Sequence, residues 1–360
     1  MIYLDYGATS KKREYIIKRI MEDFDSFNGN PDSQHTYGRK AKRILEEARE
    51  KIAKSINASP TQIVFTSGAS EANNTVINAF AEGHIVSSRI EHPSILNSIK
   101  ERSKNYTLVK PEKDGRIDIS NLDNAINPDT SLISLIYVNN EIGSINPIEE
   151  VGKLAFEKNI WYHLDAVQAY GHLDIDLEEL KCDSMSLSGH KIGGLNGFGV
   201  LYIRNPIKGL IFGGNQEKKR RAGTSFVAGA YSMGESFGEM LKERDHIKEL
   251  KKTFIEELDA KEVPYEINGS LEESSDHILN IYLPFAKSDF LLTYLDMNGV
   301  CASAGSACTA GSLEASYVVA EVHDQDRADH SIRFSFGFDN TIDDVKKTVA
   351  ILQGLERRKK

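Results

Sequence analysis

The chain is constrained most by a succession of strand-sized apolar runs, at 63–66, 84–88, 131–138, 160–166, 184–188 and 199–204. Helix-like segments separate several of them, at 69–81, from Pro93 to about 102, and at 151–158. A strand covered on both faces reads as an unbroken apolar run, and such runs alternating with helices specify an α/β domain with a mainly parallel sheet. Ligands of such sheets sit beyond the carboxyl ends of the strands. Ser67, Ala69, Ser70, His92, Asn140, Asp165, Gln168 and Lys191 all fall just after apolar runs. They are expected to share one site.

The stretch from 164 to 192 carries the most chemistry. Asp165 closes one run, and Ser188-Gly189-His190-Lys191 follows the next. A lysine placed this way can condense with an aldehyde such as that of pyridoxal phosphate (PLP). An aspartate at the neighbouring strand end can hold the pyridine nitrogen protonated, which makes the ring an electron sink. Taken alone, Lys191 also reads as a surface lysine behind a core strand. The segment from Ser67 to Glu71 joins a strand to a helix N-terminus, where backbone N–H groups and the helix dipole attract an anion. Ser70 with Glu71 also reads as a helix cap, and the two readings are compatible.

Beyond this framework, the charges of the helical segment 36–56 read as a solvated face. The basic run Lys218-Lys219-Arg220-Arg221 reads as a solvated loop or, beside a phosphate site, as an anion clamp. A helical stretch from 228 to 258 leads to a different pattern, with strands at 277–283, 300–303 and 332–336 and helices at 289–297 and 343–357. These imply a smaller α+β domain. The expected division is 13–245 for the large domain, with 1–12 and 246–360 forming the small one.

A net charge of -9 argues against broad binding to nucleic acid. No apolar run is long enough to span a bilayer, and MIYLDYGATS lacks the order of a signal peptide, so a cytoplasmic, membrane-free protein is expected. Cys182, Cys301 and Cys308 form no CxxC pair, which speaks against disulfides and against a metal site. Cys182 and Cys301 adjoin apolar runs and read as small core residues. Cys308 lies in ASAGSACTAGS, a run of small residues, and is expected on a mobile, accessible loop where a thiol can react.

In order along the chain, IYLDYGATS, GNPDSQHTYG, IVFTSGASEANN, EHPSI, YVNNEIG, HLDAVQ, SLSGHKI, GGNQEKKRRAGT, SAGSACTAGSLEASYV and SIRFSFG resemble cysteine desulfurases of the NifS/IscS type. These are PLP-dependent proteins of fold type I, the aminotransferase class V group, and the likeness covers nearly the whole chain. The resemblance implies that Lys191 binds PLP covalently, Asp165 pairs with the pyridine nitrogen and Gln168 with the phenolic oxygen. His92 would stack on the ring and take part in proton transfer. Ala69, Ser70, Ser188 and His190 would hold the phosphate, joined by Thr224 from the partner subunit of a homodimer. Asn140 and Arg333 would bind the substrate carboxylate, and Cys308 would be the nucleophile that takes sulfur from L-cysteine, leaving L-alanine.

The sulfur would pass to an acceptor protein, such as an iron–sulfur scaffold or a tRNA-thiolation enzyme. The same residues are compatible with a selenocysteine lyase or related β-lyase, and a docking protein with a degenerate PLP site is a further alternative. The chain departs from the family pattern at Gly7 and Ser10, at 191–197, which lacks a Pro-Lys pair, and at 319–324, which is polar. It ends at Lys360, and is expected to lack the longer tail with which some members dock a scaffold.

Overall fold

A computed structural model describes residues 1–305 and 315–359. In chain order its strands are β1 (Ile2–Tyr3), β2 (Ile63–Thr66), β3 (His84–Ser88), β4 (Tyr106–Val109), β5 (Thr130–Ile136) and β6 (Trp161–Asp165). They continue with β7 (Ser184–Ser188), β8 (Gly199–Ile203), β9 (Glu266–Ile267), β10 (Ile278–Tyr282), β11 (Val300–Cys301) and β12 (Ser331–Ser335). β2 to β8 form one sheet in the order β2-β8-β7-β6-β5-β3-β4, in which β4, β3, β5, β6 and β7 pair in parallel and β8 runs antiparallel to both neighbours. The chain goes outward from β3 to β4 and returns past β3 to β5. That reversal opens a crevice between β3 and β5 at their carboxyl ends.

Period-two alternation sorts the strand residues to two faces. Ile63, Phe65, Val86 and Ile133 join Leu45, Ile52 and Met233 on one side. Val64, Ile85 and Leu132 join Val76, Ile77, Ile95 and Ile99 on the other, under the helices Ala69–Phe80 and Pro93–Arg102. The sheet is therefore the middle of three layers, α/β as the apolar runs require.

β9, β10 and β12 form a separate antiparallel sheet in the order β12-β10-β9. β1 pairs in parallel with β11, and Asp5 bridges to Ser335, so the first residues of the chain are stitched to its last third. The helix Val227–Ala260 is 34 residues long, and residue 245 falls inside it. We propose that this helix is a shared spine, with 1–12 grouped with 246–360 and 13–245 forming the large domain. Among the described residues no helix is long and apolar enough to cross a membrane.

Two charged segments are more buried than their composition suggests. Arg49, on the helix Thr36–Lys54, is 8% exposed and makes a two-pronged contact with Glu217 at 2.7 and 2.9 Å. Glu217 also accepts from the backbone N–H of Phe65. It opens a run of three left-handed residues, Glu217, Lys218 and Lys219, a conformation costly for side chains with a Cβ and here held by that buried ion pair. In the basic run, Arg220 donates to the carbonyls of Thr61 and Ile63, and Arg221 pairs with Glu71 at 2.9 Å. Those two arginines thus brace the loop against β2 and the helix that follows it.

Candidate active site

A cavity of about 360 Å³ opens at the carboxyl ends of the parallel strands. Every site residue singled out in the sequence lines it except Thr224 and Cys308. Thr224 lies in an adjoining recess with Phe65 and Phe226. Cys308 lies outside the described residues.

Lys191 enters from a single tight turn, Gly189–Lys191, directly after β7. Its Nζ donates to the carbonyls of Gly7 at 2.5 Å and Ala8 at 2.8 Å. Gln168 donates to the same Gly7 carbonyl at 3.0 Å, and its Oε1 contacts His277 Nε2 at 3.0 Å. An amide oxygen only accepts, so His277 carries its hydrogen on Nε2. His277 stacks on His172 with ring centroids 3.5 Å apart, and burial first, then the neighbouring His172 and cationic side chains, hold it neutral.

Asp165, at the end of β6, accepts from Asn73 Nδ2 at 2.8 Å and from the backbone of Val167 at 3.1 Å. Across the cleft the helix Ala69–Phe80 begins at Gly68, whose φ of +155° suits glycine. Its N-cap residue, a glycine, has no side chain to cap it. Glu71 is turned back to accept from the backbone of Ser67 at 2.9 Å and to meet Arg221. Ser70 lies in the first turn and not at the cap, where free backbone N–H groups and the dipole favour an anion. His190 meets Thr9 Oγ1 at 3.2 Å; burial, then Lys191, Lys12 and His92, push it down to about 3.

Arg333, on β12, is 1% exposed. It donates to the Asn140 carbonyl at 2.8 Å and to Asp5 Oδ1 at 3.0 Å, while its Nε and Asn140 Oδ1 have no partner among the described residues. A buried guanidinium nitrogen without a partner is costly, and a ligand carboxylate satisfies it.

The sequence reading missed four contributors. The Gly7 and Ala8 carbonyls and the Asp5 carboxylate lie 161 or more residues from these partners, and short spacing carries no such signal. Asn73 sits four residues inside a helix, where an asparagine looks like surface.

Buried neutral histidines give the fold an acid limit. His163 and His172 are each pushed down to about 3, mainly by burial, as is His190, and burial also holds His277 well below the usual imidazole value. The unfolded chain binds protons below about pH 6.5 and the fold resists them, so stability is present above that value and lost as pH falls toward about 3. Each fully buried ring costs about 2 kcal/mol at pH 5 relative to neutral pH. Glu91, raised to about 8 by burial, works in the opposite direction. The urea midpoint of the cofactor-free protein is expected to fall steadily from pH 7 to pH 5; an unchanged midpoint would show that these rings are solvated.

The chain matches the family model Aminotransferase class-V over residues 2–348. It is 38% identical to the cysteine desulfurase IscS of Dictyoglomus turgidum, over 98% of this chain and 93% of that one. It is 34% identical to the cysteine desulfurase IscS of Clostridium botulinum strain Hall, over 100% and 95%. The solved NifS-like protein from Rickettsia africae superposes with a TM-score of 0.90 at 29% identity, over 99% of each chain. The chain therefore belongs to the class V aminotransferase family, within its IscS- and NifS-like cysteine desulfurase group. Members of that family typically use PLP. The cleft fits such a group: a helix N-terminus beginning at a glycine for a phosphate, a buried carboxylate for a ring nitrogen, and a lysine in the same cleft.

Proposed function

We propose that this protein is a PLP-dependent cysteine desulfurase that converts L-cysteine to L-alanine and passes the sulfur, as a persulfide on Cys308, to an acceptor protein. The observation that carries the reading is the convergence of Lys191, Asp165 and Arg333 on one cleft from three different segments. Lys191 would hold the cofactor covalently. The backbone at Ala69 and Ser70, with Ser188 and His190, would hold its phosphate, Asp165 its ring nitrogen, Gln168 its phenolic oxygen, and His92 would stack on its face. When bound, PLP supplies a conjugated cation that takes up the electron pair released at the substrate α-carbon.

Arg333 and Asn140 fix the substrate carboxylate, which sets the α-carbon and the thiol in the cleft. Lys191 and His92 move the α-proton. The Cys308 thiolate attacks the substrate sulfur, so an S–S bond forms as the C–S bond breaks, and the electron pair stays with the substrate carbon that ends as the methyl group of alanine. An external thiol, or an acceptor in iron–sulfur assembly or tRNA thiolation, then takes the outer sulfur. Thr224 would complete the phosphate site of a second copy in a cytoplasmic homodimer. Its position outside its own cleft supports this, as do the exposed apolar residues Tyr15, Met21, Phe24 and Phe226.

The test is release of sulfide and alanine from L-cysteine by the PLP-loaded protein with a dithiol. Equal amounts of the two are expected. PLP binding with no alanine would remove cysteine as the substrate. In the same assay Arg333→Lys keeps a cation for Asp5 but loses the two-pronged geometry. It is expected to raise KM for cysteine by about 10- to 100-fold with a smaller loss in kcat. An unchanged KM would place the carboxylate elsewhere.

A further inference from the structure

Asn73 is fully buried, and one amide there serves two groups that face the cleft. Its Nδ2 donates to Asp165 Oδ2 at 2.8 Å and to Ser94 Oγ at 2.9 Å. Its Oδ1 contacts His163 Nε2 at 3.0 Å. Ser94 in turn meets His92: its Oγ lies 2.8 Å and its backbone nitrogen 3.1 Å from His92 Nδ1.

The polarity of this chain of bonds is fixed from both ends. An indole N–H can only donate, and Trp161 Nε1 lies 2.9 Å from Ser184 Oγ. Ser184 still has its own hydrogen to give, and its Oγ lies 2.9 Å from His163 Nδ1. The Asn73 amide nitrogen only donates and faces Asp165, so Oδ1 faces His163 and accepts the hydrogen on Nε2. That orients the amide, so both Nδ2 hydrogens point to Asp165 and Ser94. At the far end the backbone N–H of Ser94 can only donate, which makes His92 Nδ1 an acceptor and puts the His92 hydrogen on Nε2. Read from either end, the bonds agree.

We propose that Asn73 is a positioning residue for the desulfurase reaction, which holds the Asp165 carboxylate and the Ser94 hydroxyl that meets His92 together through one amide. The inference rests on the PLP reading of the cleft. No other side chain of that size offers two coplanar donors and an acceptor: aspartate supplies no donors when ionised, and alanine supplies nothing. The bond from Asn73 fixes where the Asp165 carboxylate sits to face a ring nitrogen. Through the Ser94 hydroxyl it supports His92 Nδ1 from beside the backbone N–H that already meets that atom.

The experiment compares the parent, Asn73→Ala, Ser94→Ala and the double variant. PLP affinity is measured without cysteine, and kcat for alanine release is followed against pH. Ser94→Ala cuts only the His92 branch, so it is expected to leave PLP affinity within about twofold and to displace the kcat–pH profile. Asn73→Ala cuts both branches, and is expected to weaken PLP binding by about 10- to 100-fold and to displace the profile as well. The double variant should superimpose on Asn73→Ala in its pH profile, because Asn73 and the Ser94 hydroxyl act on His92 along one path. Unchanged PLP affinity in Asn73→Ala, or pH displacements that simply add, would overturn the assignment. If Asn73→Ala does not fold, Asn73→Asp fills the same space and is judged by the same two criteria. A parent that binds no PLP would sink the functional reading itself, whereas a parent that binds it beside an unaffected Asn73→Ala sinks only this inference.

Discussion

Lys191→Ala is expected to lose the visible absorbance of covalently held pyridoxal and to lower alanine release by about a thousandfold or more. Lys191 is the single lysine lining the cleft among the described residues, and it enters from the tight turn directly after β7. Alanine removes both the covalent anchor and the amine that moves the α-proton. The fold should survive. The Gly7 carbonyl keeps its bond from Gln168, and the lost methylenes are only half-buried. A spectrum taken after gel filtration checks the first half of the prediction, and an alanine assay the second. A persistent protein-bound band in the variant would mean that another amine holds the cofactor.

Cys308→Ala should behave in the opposite way: full PLP binding and an unaltered spectrum, with sulfide release reduced to background. The described cysteines make poor substitutes. Cys182 is fully buried and its thiol is pushed up to about 12, chiefly by burial. Cys301 is also raised, first by burial and then by Asp296 and Asp5, and it sits in the strand pair with β1. Neither forms a thiolate readily near neutral pH, and the thiolate is the nucleophile. Sulfide release at the parent rate by Cys308→Ala would move the sulfur-accepting role to another group.

Much of this architecture is legible in the residues because burial on both faces writes itself as an unbroken apolar run. β2, β3, β7 and the core of β5 fall where such runs occur. β4 does not announce itself: it is the edge strand, Tyr106 and Thr107 are exposed, and its pattern merges with a polar stretch. β9 is a two-residue edge strand and equally silent. The charged helix Thr36–Lys54 shows the converse error, since composition alone makes Arg49 a solvated residue while the structure buries it against Glu217.

The site divides along the same line. Residues immediately after strands are legible, because the sheet carries them all to one edge. Asn73 and the carbonyls of Gly7 and Ala8 are not, because their roles depend on which distant backbone comes alongside.

The first nine residues have a consequence for how this protein can be handled. Met1 is almost fully exposed, so a tag fused ahead of it meets solvent. Yet Ile2 and Tyr3 pair with Val300 and Cys301, Asp5 braces Arg333, and Gly7 and Ala8 seat Lys191. Trimming the chain from this end, a routine step when a terminus looks dispensable, would remove a strut shared by the lysine, the arginine and the strand that leads toward Cys308. Permuting the chain to new ends would have to preserve the same strut.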